Sequence, residues 1–411
     1  MLSVDDSRFQ ISRYRLLSLG YFSDVRLRLK RGSQRGRVVL VVDVKERGTI
    51  LLTELFFGVS EATAAWGGLG VAERNLFGRG ISLDAAFVFG ADPKVERGQA
   101  QQAYWLRLTA PRMANRSLEF SASFLYLDGD EFFKQRGAES NSNPDDYLSI
   151  RYRRIGGTFG AAFDASRYLR MIIDYRVEVI NSNVPAGAVR QKLNGNTEPI
   201  DFGIHRGDSR LSNFAIHIER DTRSNPVMPT AGALLDVGAE LSTSLLGSTH
   251  DYLKLSASYR HYFALRWGHV ISPQIRGGVI WGEAPFFEKF FIGDFNDLVP
   301  GRVLGLNFST LPSRDFFGTS IDSKRYEEFA LRLSVEYIVP WFRGGSFFYS
   351  GDFFANVGLI FLTSKEGLNL RDRPLIESIP VDMTLDVGLR LDSRVGIFRL
   401  SLGNGLGRIP F

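Results

Sequence analysis

Few residues in this chain have the type and spacing that bond chemistry needs. The five histidines, His205, His217, His250, His261 and His269, form no HxxxH or HExxH pair, so a His-rich metal centre is not expected. Cysteine is absent, which excludes disulfides, thiolate zinc sites and cysteine nucleophiles. There is no GxSxG elbow, no phosphate-binding loop and no GxGxxG between a strand and a helix. The carboxylate pairs Asp145–Asp146 and Glu327–Glu328 fall in or beside polar loops, where a solvated face is the simpler reading. His217 shares a polar strand phase with Glu219 and reads as an interior-facing side chain rather than a general base. The expectation is a chain that is not an enzyme, with no catalytic residue, no cofactor and no metal.

Charge narrows the partners. The 50 basic and 45 acidic residues leave a net charge of +5 spread along the sequence, whereas nucleic-acid grooves concentrate their charge. No nucleic-acid partner is expected. No window approaches the roughly 18 apolar residues that a spanning helix needs. Met1-Leu-Ser-Val is followed at once by Asp5 and Asp6, not by a basic segment and an apolar core. Either the protein stays inside the cell, or residue 1 is not the natural start of an exported precursor.

The elements that must position any site follow from periodicity. Asp5, Asp6 and Ser7 offer N-cap oxygens to a helix carrying Phe9, Tyr14, Leu16, Leu17 and Leu19 and ending at Gly20. Strand-like runs Val25–Leu29 and Val38–Val44 follow, giving a small α+β unit that ends near Arg47. From about Leu51 onward the period is two. Ile173, Tyr175, Val177 and Val179 alternate with Asp174, Arg176 and Glu178, and Phe329, Leu331, Leu333, Val335 and Tyr337 with Arg332, Ser334 and Glu336.

Alternation alone fits a soluble sandwich or a membrane barrel. Three features favour the barrel. The runs last roughly 9–15 residues, against about 5–6 in soluble proteins. Short turns (Met113–Arg116, Ala165–Arg167) alternate with long polar loops (Gly129–Asp146, Ser182–Gly207). Aromatic residues recur near strand ends, at Trp105, Tyr126, Phe132, Phe133, Tyr147, Tyr262, Trp267, Trp281 and Trp341, as a membrane-interface girdle would require. The predicted fold is an all-β transmembrane barrel with roughly 15 strands visible, one short of an even number. Between Pro285 and Ser320 lies a segment rich in Phe and Gly, too apolar for an ordinary solvent loop. It reads either as a plug folded into the lumen or as an external loop packed on itself.

Several motifs then carry a resemblance. Ser12–Val25, followed by Val38–Glu46, resembles the second helix and last strands of a POTRA domain. Arg74-Asn-Leu-Phe-Gly-Arg-Gly80 is similar to an N-L-x-G-x-G motif at a second barrel strand. Asp221, Thr222, Arg223, Pro229 and Gly232 match D-T-R-x-N-x-x-x-P-x-x-G, the most specific of these motifs. Phe290–Gly305 stands where a sixth loop would, and Val387–Gly403 looks like penultimate strands. Over nearly its whole length the chain resembles the BamA-type outer-membrane assembly and transport family, also called the bacterial surface antigen family.

The resemblance implies residues 1–49 as the C-terminal part of a POTRA domain lacking its first strand and helix, in the periplasm. It implies residues 50–411 as a barrel of about 16 antiparallel strands in the bacterial outer membrane, an organellar outer membrane being the alternative. The implied function is assembly or insertion of outer-membrane proteins, with client β-strands templated where the first and last strands meet. A passive channel, or a dedicated secretion translocator of the same barrel family, is the alternative. Implied partners are outer-membrane lipid, client β-barrel or secreted polypeptides, periplasmic chaperones and accessory lipoproteins. The client-facing edge would carry Leu52, Glu54, Phe56, Gly58 and Ser60.

Two departures concern the sixth loop. The family's loop arginine, which contacts carboxylates on the twelfth and thirteenth strands, is displaced or lost here, with Gly301 and Arg302 the nearest candidates. Glu336 keeps one carboxylate, but Asn356 stands where the other is expected. An unpaired charge in the interior would be costly, so Arg302 is expected to pair with Glu336.

Overall fold

The computed structural model describes residues 21–404 together with Phe9, Ser12, Arg13, Leu16 and Leu17, apart from residues 35, 47, 61, 92, 111–117, 137–142, 192–194, 226–227, 296–301, 311–316, 318, 320–324, 345–346, 366–367, 369–379 and 394–396. Those five N-terminal residues are helical, and the rest of the expected helix lies outside the described residues. A hairpin follows, β1 (Phe22–Arg31) with β2 (Val38–Glu46).

The next strands are β3 (Ile50–Gly58), β4 (Trp66–Leu76), β5 (Ile81–Gly90), β6 (Gln101–Ala110), β7 (Leu118–Lys134), β8 (Tyr147–Asp164) and β9 (Leu169–Asn183). A small loop hairpin, β10 (Val189–Gln191) and β11 (Thr197–Pro199), precedes β12 (Gly207–Asp221), β13 (Gly232–Ser242), β14 (Tyr252–Ala264) and β15 (Val270–Gly282). Four two-residue strands lie in the following loop: β16 (Phe290–Phe291), β17 (Arg302–Val303), β18 (Leu306–Asn307) and β19 (Tyr326–Glu327). The chain then runs through β20 (Phe329–Arg343), β21 (Phe348–Thr363), β22 (Val381–Ser393) and β23 (Ile397–Asn404).

Fifteen strands form one antiparallel sheet in which sequence neighbours pair, from β3 at one edge to β23 at the other. The sheet is not closed by a pairing of β3 with β23 among the described residues. The sixteenth strand that the resemblance implies is not among them either. Two of the expected long loops are shorter than the sequence suggested. β7 carries its pairing with β8 through Gly129 to Lys134, and β9 pairs with β12 up to Ser182 and Gly207. The Met113–Arg116 turn lies outside the described residues.

Burial decides between sandwich and barrel. In β20, Leu333, Val335 and Tyr337 are 45, 44 and 41% exposed, while Arg332 and Glu336 are 2 and 1% exposed. The polar phase is covered and the apolar phase is open. β14 repeats this, with Leu253, Leu255, Tyr259 and Phe263 exposed. Fully covering a large apolar side chain is worth about 1.5–3 kcal/mol, so dozens of them facing water would oppose folding. Facing lipid they cost nothing, and the buried polar phase becomes the lining of a barrel. No helix among the described residues is long and apolar enough to cross a membrane; the crossing is made by strands.

The aromatic expectation divides. Trp267, Trp281 and Trp341 are exposed on the outer surface, as a girdle requires, but Phe132, Tyr147 and Tyr262 are buried in packing clusters. The main cluster joins inward residues of distant strands, Val88, Leu127, Tyr152, Ile180, Leu211 and Tyr252, to Phe286, Val303, Leu306 and Phe308 of the loop after β15. Strands far apart in the sheet therefore surround one apolar segment.

Candidate functional site

The first element of interest is the edge strand. Among the described residues β3 pairs only with β4. Leu55 and Phe57 point to the exposed apolar side, and β3 contains no proline to remove an edge donor. A bulge lies between Leu52 and Glu54: Leu52 stands opposite the exposed Val71, whereas Glu54 stands opposite the buried Gly70. The even-numbered residues Leu52, Glu54, Phe56, Gly58 and Ser60 therefore do not share one face, because the bulge inserts an extra residue that simple alternation cannot register.

At the far end of β3 the first hairpin meets the long loop. A Cβ on Gly58 would overlap the Trp66 indole, which stacks on Phe308 with 5.1 Å between centroids and planes 6° apart. The Ser60 hydroxyl donates to the Phe308 carbonyl.

Described residues of the loop between β15 and β20 lie against the inner face of the sheet. Gln101 Nε2 donates to the Asn307 carbonyl at 3.0 Å, the Tyr152 hydroxyl to the Gly305 carbonyl at 3.1 Å, and the Tyr147 hydroxyl to the Thr310 carbonyl at 2.9 Å. On the opposite flank the Thr319 hydroxyl donates to the carbonyl of Val381 in β22 at 2.7 Å.

The expected pairing of Arg302 with Glu336 is corrected. Arg302 forms its ion pair with Asp294, donates to the Phe287 carbonyl at 3.2 Å and lies over the rings of Phe291 and Tyr326. All four partners belong to the loop itself. Glu336 meets Arg260 of β14 at 2.7 Å and Arg390 of β22 at 3.0 Å. Two guanidinium groups from the wall already meet that carboxylate, so no loop cation is needed there. Asn356 is buried directly across from Glu336 on one side and Asp386 on the other. Gly301 lies outside the described residues.

Sequence reasoning missed the ion pairs that do join loop to wall. Glu288, 5% exposed, sits 2.8 Å from Arg176 of β9 and 3.9 Å from Arg154 of β8. Lys254 of β14 donates to its backbone carbonyl at 2.7 Å. Burial by itself would raise the Glu288 carboxyl; Arg176, Lys254 and Arg154 outweigh it and hold it below the ordinary carboxylate range. At the loop's other stem Arg325 meets the fully buried Glu131 of β7 at 2.9 Å, and Glu131 also accepts from Tyr326 at 2.6 Å and Asn307 at 2.9 Å. One signal was available. Glu288 is a carboxylate between phenylalanine pairs, in Ala284-Pro-Phe-Phe-Glu288-Lys-Phe-Phe291, and such a charge must find a partner.

Asp221, Thr222, Arg223, Pro229 and Gly232 lie at the opposite end, in the β12–β13 turn. Asp221 accepts from the Arg223 amide and Nε at 3.0 Å and from its Nη2 at 2.8 Å. Thr222 donates to the Ala233 carbonyl at 3.1 Å and accepts from its amide at 2.9 Å. Pro229 is buried, and Gly232 takes a positive φ of 91°. These contacts clasp a turn, and the structure does not bring them to the loop or to the β3 edge. Among the described residues no cluster of three or more His, Asp or Glu side chains could hold a metal ion.

Residues 75–408 match the profile of the Omp85 superfamily domain. Over 322 residues, 76% of its length, the chain is 25% identical to the outer membrane protein assembly factor BamA of Nitratidesulfovibrio vulgaris, and it spans about a third (35%) of that relative. Its fold is similar to the crystal structure of BamA from Haemophilus ducreyi lacking POTRA domains 1–3, with a TM-score of 0.55 at 15% identity, covering 97% of this chain and 74% of the other. It is also similar to CdiB from Escherichia coli, with a TM-score of 0.51 at 10% identity, covering 96% and 65%.

Proposed function

Because the chain belongs to the Omp85 superfamily, we propose that it inserts client proteins into the bacterial outer membrane by offering the free edge of β3 to an incoming β-strand. The observation that carries this reading is that, among the described residues, β3 pairs on one side only. Unpaired N–H and C=O groups in a low-dielectric layer cost several kcal/mol each, so a strand that satisfies them is captured by its backbone rather than by its sequence. Exposed Leu55 and Phe57 continue the lipid-facing band onto that edge, and a client strand with the same alternation would extend it. The chemistry needs neither nucleotide nor covalent intermediate. The relative's name, an assembly factor, supports the same reading.

The N-terminal part, residues 1–49, is read as the end of a POTRA domain on the periplasmic side. Its support is contact with the short-turn end of the barrel: the Tyr21 hydroxyl donates to the Gly80 carbonyl at 3.2 Å, and Lys45 lies 5.7 Å from the Tyr349 ring centroid. Periplasmic chaperones and accessory lipoproteins would be met there.

A dedicated secretion translocator is the second reading. It is favoured by a polar interior cavity of about 310 Å³ beneath the loop, lined by His217, Asp236, Lys254 and Arg276 among others, which a polypeptide could enter once the loop moves. Depletion in cells separates the two. Reduced outer-membrane levels of many unrelated barrels support insertion; loss of a single secreted protein with normal barrel levels overturns it in favour of translocation.

A further inference from the structure

The wall groups that receive the loop do not balance by themselves. Arg154, Arg176 and Lys254 are three cations, and Glu178 and Glu240 are the two wall carboxylates paired among them. Glu288, contributed by the loop, is the third carboxylate and brings this group to neutrality. On β7 the reverse holds, where the buried Glu131 receives its guanidinium from Arg325 of the loop. Each stem of the loop thus supplies the ion that the wall lacks. Arg302, by contrast, makes its contacts inside the loop.

Described residues of the loop so held touch both flanks of the sheet. Phe308 packs on Trp66 and accepts from Ser60 beside the β3 edge, and Thr319 is bonded to Val381 in β22, the neighbour of the other edge strand.

We infer that Glu288 and Arg325 are the positioning residues that hold the loop between the first and last hairpins of the sheet, a pair of pins of opposite charge. The purpose of such a clamp rests on the insertion reading: while the pins hold, the first and last hairpins are tied through one loop, and when they release the edge is free to accept a strand. The geometry of the pins stands without a client, so they are tested without one.

The test uses the full chain, folded in detergent and reconstituted in planar lipid bilayers, with E288Q, E288D, R325Q and R302Q compared to the parent. Heat-modifiable migration on gels establishes that each barrel is folded. Trypsin cleavage within residues 283–328 and single-channel conductance are the two readouts. E288Q and R325Q are expected to raise loop cleavage by about tenfold or more, corresponding to roughly 1.4 kcal/mol in the loop's opening equilibrium, and to add a large conducting state. E288D, which keeps the charge, is expected to stay near the parent, as is R302Q at the sites it retains. Parent-like cleavage and conductance in E288Q, or equal opening in E288D or R302Q, would overturn the inference. If E288Q yields no folded barrel, R325Q carries the test from the other stem with the same overturning result. Should the pins behave as expected while client insertion in cells is unaffected, the insertion reading fails and the clamp remains.

Discussion

At Gly232 the backbone runs with φ at +91° and the Thr222 carbonyl lies against its α-carbon, so a Cβ would overlap backbone. Gly232→Ala is therefore expected to destabilise the barrel by roughly 1–3 kcal/mol, measured as a lower urea midpoint for loss of the heat-modifiable form. A midpoint equal to the parent's would mean that the clasp does not hold the turn. At Glu288 the prediction concerns pH. Its folded pKa lies below the ordinary value of 4.5, through Arg176, Lys254 and Arg154 acting against burial. A depressed carboxylate contributes its full stabilisation above the unfolded value and loses it as pH falls through the folded one. The loop should stay protected from neutral pH down to about 4.5 and open only below that. Opening that begins near neutrality would point to another group. Little of this residue-scale detail was legible. The polar phase of β9 placed Arg176 and Glu178 on the inner face, but alternation carries no information about which distant residue crosses to meet them. Glu288 and Arg176 come from elements far apart in sequence, and Arg302, the obvious cation, found its anion a few residues away.

At the scale of elements, β3 and the loop matter most. Consecutive residues of an edge strand send their N–H groups alternately toward the neighbour and toward the open side. Leu55→Pro and Phe56→Pro should therefore diverge. One removes a bond of the β3–β4 ladder and lowers barrel stability; the other removes only an edge donor and lowers client insertion with stability retained. Equal effects of the two on both measurements would argue against the edge as the receiving surface. The strands themselves were readable, because side chains that alternate with period two over long runs match the pleat of a strand and not the turn of a helix. The bulge after Leu52 was not, since one inserted residue leaves composition unchanged and only shifts the phase. Three of the nine aromatic positions failed the girdle reading for a related reason. Phe132, Tyr147 and Tyr262 lie near strand ends like girdle residues, but their side chains are buried in packing clusters.

On the scale of the whole molecule, the exposed apolar band and the buried polar lining require a lipid surround, and purification without detergent should give aggregate rather than a monodisperse monomer. The proposed function rests on the β3 edge, which has no second partner strand among the described residues. The chain has no cysteine of its own, so single cysteines can be placed at residues 52, 54, 56 and 58 of β3, and at Val177 in the middle of the sheet, without background. The decisive measurement is disulfide formation with a ladder of single cysteines along the last strand of an unfolded client barrel, during its insertion into vesicles holding this protein. If β3 receives the client strand, each β3 site has one preferred client position, advancing in step along an antiparallel or parallel register, and residue 177 gives nothing above background. Cross-links spread without register, or as frequent at residue 177 as along β3, would contradict edge capture.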